Sequence, residues 1–426
     1  MIYPINQAIP YTAVATTFGH HQDTFSYTWT FDDNTSSSGA SVSKTWTTPG
    51  NHLATVTATD LVTNTVAVAQ KNINLFNPSM TWNWYDTGKS LTTANSSFEG
   101  FETGKTFLFG NKLISFGSYY YRQDVNVYNM DTDTLTLYSS ALPSGGFGGS
   151  CLIPAGPYAG KVLLFGNNSG AYGYWDLADN TYTPISATGG PGRINGVYSV
   201  PSIALNNGNI MVVWVEYTSY GNATDGYPVS IYNTSTNTFG PRGDKIINST
   251  LQLNMLPSGN VLAVWDNSTS YNIYSQSGSL LATGTGASNF PEGPFQFGIS
   301  LPDGRFLQIS GSYANIFTED TSIPSMGTWT TGVAAYPVAE QGGTGSYYSC
   351  LVLTPEGDVL EVGGEESDAG AKPYMVFYSP SINSFNIMAT KQPLGNGGVI
   401  YPYSGRFWAI RDSDGRIFKS APWIGN

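Results

Sequence analysis

Short apolar runs broken by tight polar turns dominate this chain, and they fall into two zones. Between Tyr11 and Leu75 the runs FSYTWTF, SVSKTWTT, HLATVTATD and TVAVAQKNINL are separated by turn clusters such as DDNTSSSGAS and TPGN. That is the rhythm of a small antiparallel sandwich. Tyr27, Trp29 and Phe31 occupy alternate positions of the first run, which puts aromatics on one strand face, and Asp32, Asp33 and Asn34 end it in side chains suited to a turn. Further along, an apolar run, a Gly-bearing turn and a second apolar run recur seven times, as in LQLNMLPSGNVLAVW, FGISLPDGRFLQIS and CLVLTPEGDVLEVGG. The turn glycines are Gly110, Gly160, Gly208, Gly259, Gly304, Gly357 and Gly405; first and last are 295 residues apart, six intervals averaging about 49. Downstream of four hairpins an aromatic is followed seven residues later by another large apolar residue: Tyr128 and Leu135, Trp175 and Tyr182, Tyr232 and Phe239, Tyr378 and Phe385. These pairs predict a third and a fourth strand facing each other across a polar turn.

Seven four-stranded repeats of this period predict a seven-bladed β-propeller over residues 77–426, after an immunoglobulin-like sandwich over residues 1–76. The last repeat ends in RIFKSAPWIGN with room for three strands, while MTWNWYD at Met80–Asp86 is left over before the first. The strand at about 80–86 is therefore expected to complete the last blade and close the ring. In period, hairpin and paired aromatics the array resembles kelch propellers. It departs from them in the di-glycine after the second strand, which survives only as Gly363 and Gly364. The sandwich resembles a PKD domain in WTFDDN at Trp29–Asn34, KTWTTPGN at Lys44–Asn51 and ATVTATD at Ala54–Asp60, with Thr30 and Asn34 departing from the pattern. This resemblance implies an all-β spacer or adhesion module and no particular ligand.

Composition narrows the function classes. Charged residues make up 11% and the formal net charge is −12, with no two Lys or Arg adjacent, so nucleic acid is not an expected partner. No apolar run reaches the ~20 residues of a membrane span, and the opening MIYPINQAIPYTAVATTF reads as neither a spanning segment nor an export signal. Neither membrane insertion nor a cofactor is expected. All three histidines, His20, His21 and His52, precede the repeats. A propeller without histidine lacks the imidazole ligands of a copper-radical oxidase of the galactose-oxidase kind, and lacks a His-based triad. His20 and His21 point to opposite sides of any strand they share, so no metal site is expected there. Asp131 with Asp133, and Asp32 with Asp33, read as turn formers. Cys151 and Cys350 lie in first strands of non-adjacent repeats, beyond the reach of a disulfide, and are expected to be free buried thiols. No disulfide and no export signal together suggest folding in a reducing cytoplasm.

The long connections GSYYYRQD, VEYTSYGNATDGYP and GGEESDAGAKP lie on the face opposite the tight turns, where recognition is expected. Candidate ligand-binding residues are Tyr119, Tyr120, Tyr121 and Arg122, with Tyr217 and Tyr220 on the equivalent loop two blades on, and Glu365, Glu366 and Asp368. Tyrosine faces stack on sugar rings and keep a hydroxyl for hydrogen bonding. No catalytic pair stands out, and the reading leans towards a binder rather than an enzyme. The expected function is that of a virion surface protein, a bacteriophage head or tail fibre or decoration assembled in the host cytoplasm. Its partners would be other virion proteins and a host-surface glycan. A carboxylate-based polysaccharide-degrading enzyme, a purely structural tail-hub propeller and an extracellular adhesin lacking its signal peptide remain alternatives.

Overall fold

A computed structural model of the chain describes residues 2–16, 24–48, 50–76, 83–91, 106–116, 123–143, 147, 149–153, 157–165, 172–188, 201–213, 227–241, 243, 245–246, 251–265, 270–285, 298–310, 313–320, 322–323, 326–335, 347–366, 370–371, 375–380, 383–388, 393–394, 397–411 and 413–422. Every regular element among them is a strand.

The amino-terminal unit is a sandwich. Strands β1 (Ile2–Pro4), β2 (Ala8–Thr12), β3 (Phe25–Phe31), β4 (Ser36–Ser38), β5 (Ser41–Thr45), β6 (Gly50–Asp60) and β7 (Val66–Phe76) form a five-stranded sheet in the order β1-β7-β6-β3-β4, faced by the pair β2-β5. Alternation supplies the core: Trp29 and Phe31 from β3, Ala54 and Val56 from β6, and Ile9 and Tyr11 from β2 pack with Trp46, Ile73 and Leu75. Asp32 and Asp33 close the turn after β3. Asp32 accepts the amide of Leu53 at 3.1 Å, and Asp33 accepts the Thr35 amide at 3.1 Å and the Lys44 ammonium at 2.5 Å. Desolvation pushes the Asp33 pKa up, but Lys44 and Thr35 outweigh it and hold the group at about 2. The opening segment is paired along its length: β1 pairs in parallel with Asn74–Phe76 and β2 pairs antiparallel with β5. Ile9 and Tyr11 are buried at alternate positions, so this segment is core strand.

After it, strand β8 (Trp84–Ser90) and the remaining strands make seven further sheets among the described residues, each built on a path of four antiparallel strands. Their first strands are Thr106–Phe109, Gly149–Leu152, Ser202–Ala204, Leu251–Met255, Gly298–Ser300, Tyr347–Leu353 and Gly398–Tyr403. The turn glycines that set the period all take positive φ, from 57° at Gly110 to 90° at Gly357, where a Cβ would strain the turn. The aromatic pairs are directly opposed in register, as Tyr128↔Leu135, Trp175↔Tyr182, Tyr232↔Phe239 and Tyr378↔Phe385. A second device accompanies three of them. Tyr128, Tyr232 and Tyr378 each donate a hydroxyl to an Asx side chain five residues on, Asp133, Asn237 and Asn383, at 2.7–3.0 Å. Those Asx residues sit at φ of 53°, 54° and 48°. The tyrosine thus braces the left-handed turn that lets the fourth strand fold back.

Apolar clusters fill every gap between successive sheets. Ile114, Phe116 and Val125 of the first meet Val162, Leu164 and Trp175 of the second, and the series continues to the seventh. The seventh then packs on the first, where Trp408, Ile410 and Ile417 meet Leu113, Tyr128 and Met130, with Tyr128 and Trp408 rings 5.6 Å apart. Tyr401 donates to the carbonyl of Thr106 at 2.7 Å and Tyr403 to Asp131 at 2.9 Å across the same seam. The outermost strand of the seventh sheet is β8, paired with Arg416–Ser420 and tied by Arg416 to Asp86 at 3.1 Å. Of the run Met80–Asp86 singled out in the sequence it contains Trp84–Asp86, while residues 80–82 lie outside the described residues. Seven sheets with seven shared clusters form a closed β-propeller.

Candidate functional site

The structure covers the candidate site residues unevenly. Tyr119, Tyr120, Tyr121, Arg122, Tyr217, Tyr220 and Asp368, like His20 and His21, lie outside the described residues. Glu365 and Glu366 end the strand Val359–Glu366, where their backbones pair with Ala371 and Gly370. Three of the buried acids that are described have structural partners. Glu319 receives the amide and hydroxyl of Ser258 from the adjacent blade, Asp358 accepts the Ser379 hydroxyl at 2.7 Å, and Asp124 accepts the Ser140 amide at 2.9 Å. Each of these ties a strand to a turn or to a neighbouring blade. No group of three or more His, Cys, Asp or Glu side chains among the described residues is placed to hold a metal ion.

Cys151 and Cys350 are free and buried. Desolvation pushes their thiols up to about 12 and about 11 respectively, so both stay protonated and unreactive at neutral pH.

A concave site is described on the sandwich. Two strands cannot cover five, and among the described residues the uncovered part of the large sheet leaves an apolar groove of about 590 Å³. Its floor is the inner face of β6 and β7, where Ala54, Ala58, Ala67 and Ala69 are too small to fill the space, with Tyr27 and Trp29 beside them. Its wall is β2 and the segment Ala13–Thr16. That segment is pinned by the Ala13 amide to the Ala40 carbonyl at 2.9 Å and by the Ala15 amide to the Tyr27 hydroxyl at 3.1 Å. Lys71 is the single charged residue of the lining among the described residues. Among the described residues such a site offers shape and apolar contact. The sequence reading missed it. A signal was present in TVAVAQ, where valine alternates with alanine and no polar face appears, although an edge strand normally shows one.

Comparison with known proteins agrees with both halves of the architecture. Residues 5–73 match the PKD domain. No curated protein sequence matches the chain. Among solved structures, the β-propeller domain of Myceliophteria thermophila Cps50 (Swd1) superposes with a TM-score of 0.50 at 11% identity, over 77% of this chain and 99% of that one. YCF48 bound to D1 peptide gives 0.51 at 13%, covering 81% and 95%. A catalytically inactive histidine-to-alanine variant of virginiamycin B lyase from Staphylococcus aureus, with quinupristin, gives 0.50 at 10%, covering 80% and 99%. At these identities the likeness to the solved structures is one of fold, and the PKD match rests on residues 5–73.

Proposed function

We propose that this chain is a non-catalytic attachment protein on the surface of a virus particle. In this reading the propeller engages host-surface glycan and the sandwich serves assembly with other virion proteins. One observation carries it: an adhesion-type architecture is built around two buried, unbridged thiols, the state expected of a protein folded in a reducing compartment. The ring gives the reading its mechanics. Interlocked aromatic and aliphatic clusters hold the blades rigid, which lowers the entropic cost of binding by whatever the ring carries, and the residues proposed for that role from the sequence are Tyr119, Tyr120, Tyr121, Arg122, Tyr217 and Tyr220. Glu365 and Glu366, which end the strand Val359–Glu366, and Asp368 complete the proposed set.

Fold likeness does not choose the ligand, because the similar propellers hold a peptide in one case and quinupristin in another. It does argue against borrowed lyase chemistry. The inactive lyase variant has lost a histidine, whereas no residue after His52 in this chain is one. The test uses the full chain and a Tyr119, Tyr120, Tyr121 to Ala triple variant against host-surface polysaccharides, with reducing-end products followed. Binding abolished in the variant supports the proposal. Released oligosaccharide would replace it with a carboxylate-based enzyme, and absence of the protein from purified particles would refute the virion assignment.

A further inference from the structure

The seam between the fourth and fifth blades turns polar at one end. Its core is apolar, with Leu256, Leu262, Val264, Tyr271 and Ile273 of the fourth sheet against Phe306 and Phe317 of the fifth. Carboxamides share those two faces. Asn254 and Gln252 pair in register with Leu262 and Val264, so their side chains enter the seam from the first strand of the fourth sheet. Gln308 lies two residues after Phe306 and Asn315 two before Phe317, and the two pair with each other, so they enter from the fifth sheet. Gln308 is fully buried and Asn254 is 6% exposed. Backbone groups fix which way each amide is turned. Gln252 Nε2 donates to the Gly298 carbonyl at 2.7 Å and to Asn254 Oδ1 at 3.1 Å. The Gly332 amide donates to Asn315 Oδ1 at 3.1 Å, which leaves Asn315 Nδ2 to donate to Gln308 Oε1 at 3.4 Å. The remaining ends are then determined. Gln252 Oε1, an acceptor, and Asn254 Nδ2 and Gln308 Nε2, both donors, are buried without a hydrogen-bond partner, a costly state for an amide. Register brings them to one place, because Gly298, which holds Gln252, is the residue paired with Gln308.

We propose that this seam binds one ordered water molecule, held by Gln252, Asn254 and Gln308. A water accepts from Asn254 Nδ2 and Gln308 Nε2 and donates a proton to Gln252 Oε1, so a single molecule satisfies all three ends. About three bonds to otherwise unpaired polar groups is what a buried water makes. The same set of atoms disfavours ions. A cation would meet two inward amide protons and a single oxygen, and an anion would face that oxygen. The water joins the first strand of the fourth sheet to the second strand of the fifth, beside the direct bond from Gln252 to Gly298. Gln308 stands four residues past the turn glycine Gly304, and Val264 five past Gly259, so the bridge lies at the end of the seam remote from the Gly turns. Glu365 and Glu366 end their strand on that side of the ring. The bridge therefore stiffens the inner strands beneath the face assigned to recognition.

Two measurements test the bridge. A crystal structure of the full chain should show one solvent peak about 2.7–3.2 Å from each of the three atoms. In solution, relaxation dispersion of the water oxygen counts long-lived waters. Gln308→Met, which nearly keeps the volume and removes the donor, should count about one fewer than wild type once circular dichroism has shown that it folds. A group of the chain itself bonded to these three atoms in the crystal, or no density there, would overturn the proposal. So would a peak at about 2.0–2.6 Å, the range of a bound metal ion, or equal water counts in the two folded proteins. None of these readouts involves glycan, so this inference and the proposed function fail separately.

Discussion

Asn237 offers the sharpest test of how a blade is braced. Its side-chain oxygen accepts hydroxyls from Tyr232 and Tyr174, both at 2.9 Å, and the two hydroxyls lie 2.9 Å from each other. It also holds a left-handed turn at φ 54°. Replacement by Ala removes the common acceptor. One hydroxyl still donates to the other, so a single buried proton is orphaned, at about 2 kcal/mol. An Ala in the left-handed region adds about 1 kcal/mol. Asn237→Ala should therefore cost about 3 kcal/mol and Asn237→Gly, which keeps the turn without a Cβ, about 2 kcal/mol. With an unfolding entropy of ~2.1 cal/mol/K per residue over a propeller of about 350 residues, 3 kcal/mol lowers Tm by about 4 °C. Scanning calorimetry on the full chain resolves that shift. Equal losses for the two variants, or losses under about 0.5 kcal/mol in both, would refute the assignment of Asn237 as turn and acceptor at once.

Further outcomes follow from burial. Cys151 and Cys350 should be silent to a thiol reagent at pH 8 in the native protein and both react after unfolding; one fast native thiol would contradict their placement. Desolvation pushes Tyr174, Tyr182 and Tyr378 from 10.0 up to about 12. A phenol held protonated by the fold contributes stability that is complete below about pH 10 and is lost as pH rises towards 12. Phenolate absorbance should thus appear together with unfolding, not before it. Gly298→Ala would place a Cβ 2.1 Å from Phe306 Cζ and 2.8 Å from the Leu307 carbonyl, so it should cost roughly 3 kcal/mol or more, read as a fall in Tm. A wild-type Tm would show that the first strand of that blade can move.

Much of the fold was legible because its determinants are local. A tight turn needs a residue that tolerates positive φ, so glycines at a spacing of about 49 marked every hairpin between first and second strands. Cross-strand aromatic pairs were readable wherever the third turn kept one length, as in Tyr128 with Leu135. The same rule passed over Phe317 with Trp329, because the longer turn Asp320–Met326 separates them, and over Tyr274 with Leu280, where the register shifts at a bulge. The amino-terminal strands escaped for another reason. AIPYT carries a proline and is short, and only its partner β5 and the aromatic layer beneath it make it core.

The site was less readable still. Surface tyrosines and acids are visible in any sequence, but which of them converge is decided by loops whose paths composition does not constrain. The groove was invisible for the opposite reason, being made of alanines and valines that individually mean nothing. It exists because, among the described residues, a two-stranded sheet lies over a five-stranded one. By itself, then, the sequence determined period, strand pairing within each blade and the absence of histidine from the propeller, because those depend on neighbours a few residues apart. It also left a spare strand at about 80–86 for the last blade, whereas the tertiary structure alone decided that Trp408 packs on Tyr128 to close the ring and that, among the described residues, two strands lie over five in the sandwich. Those contacts join residues tens to hundreds of positions apart, and only packing chooses among the many partners that local pattern would allow.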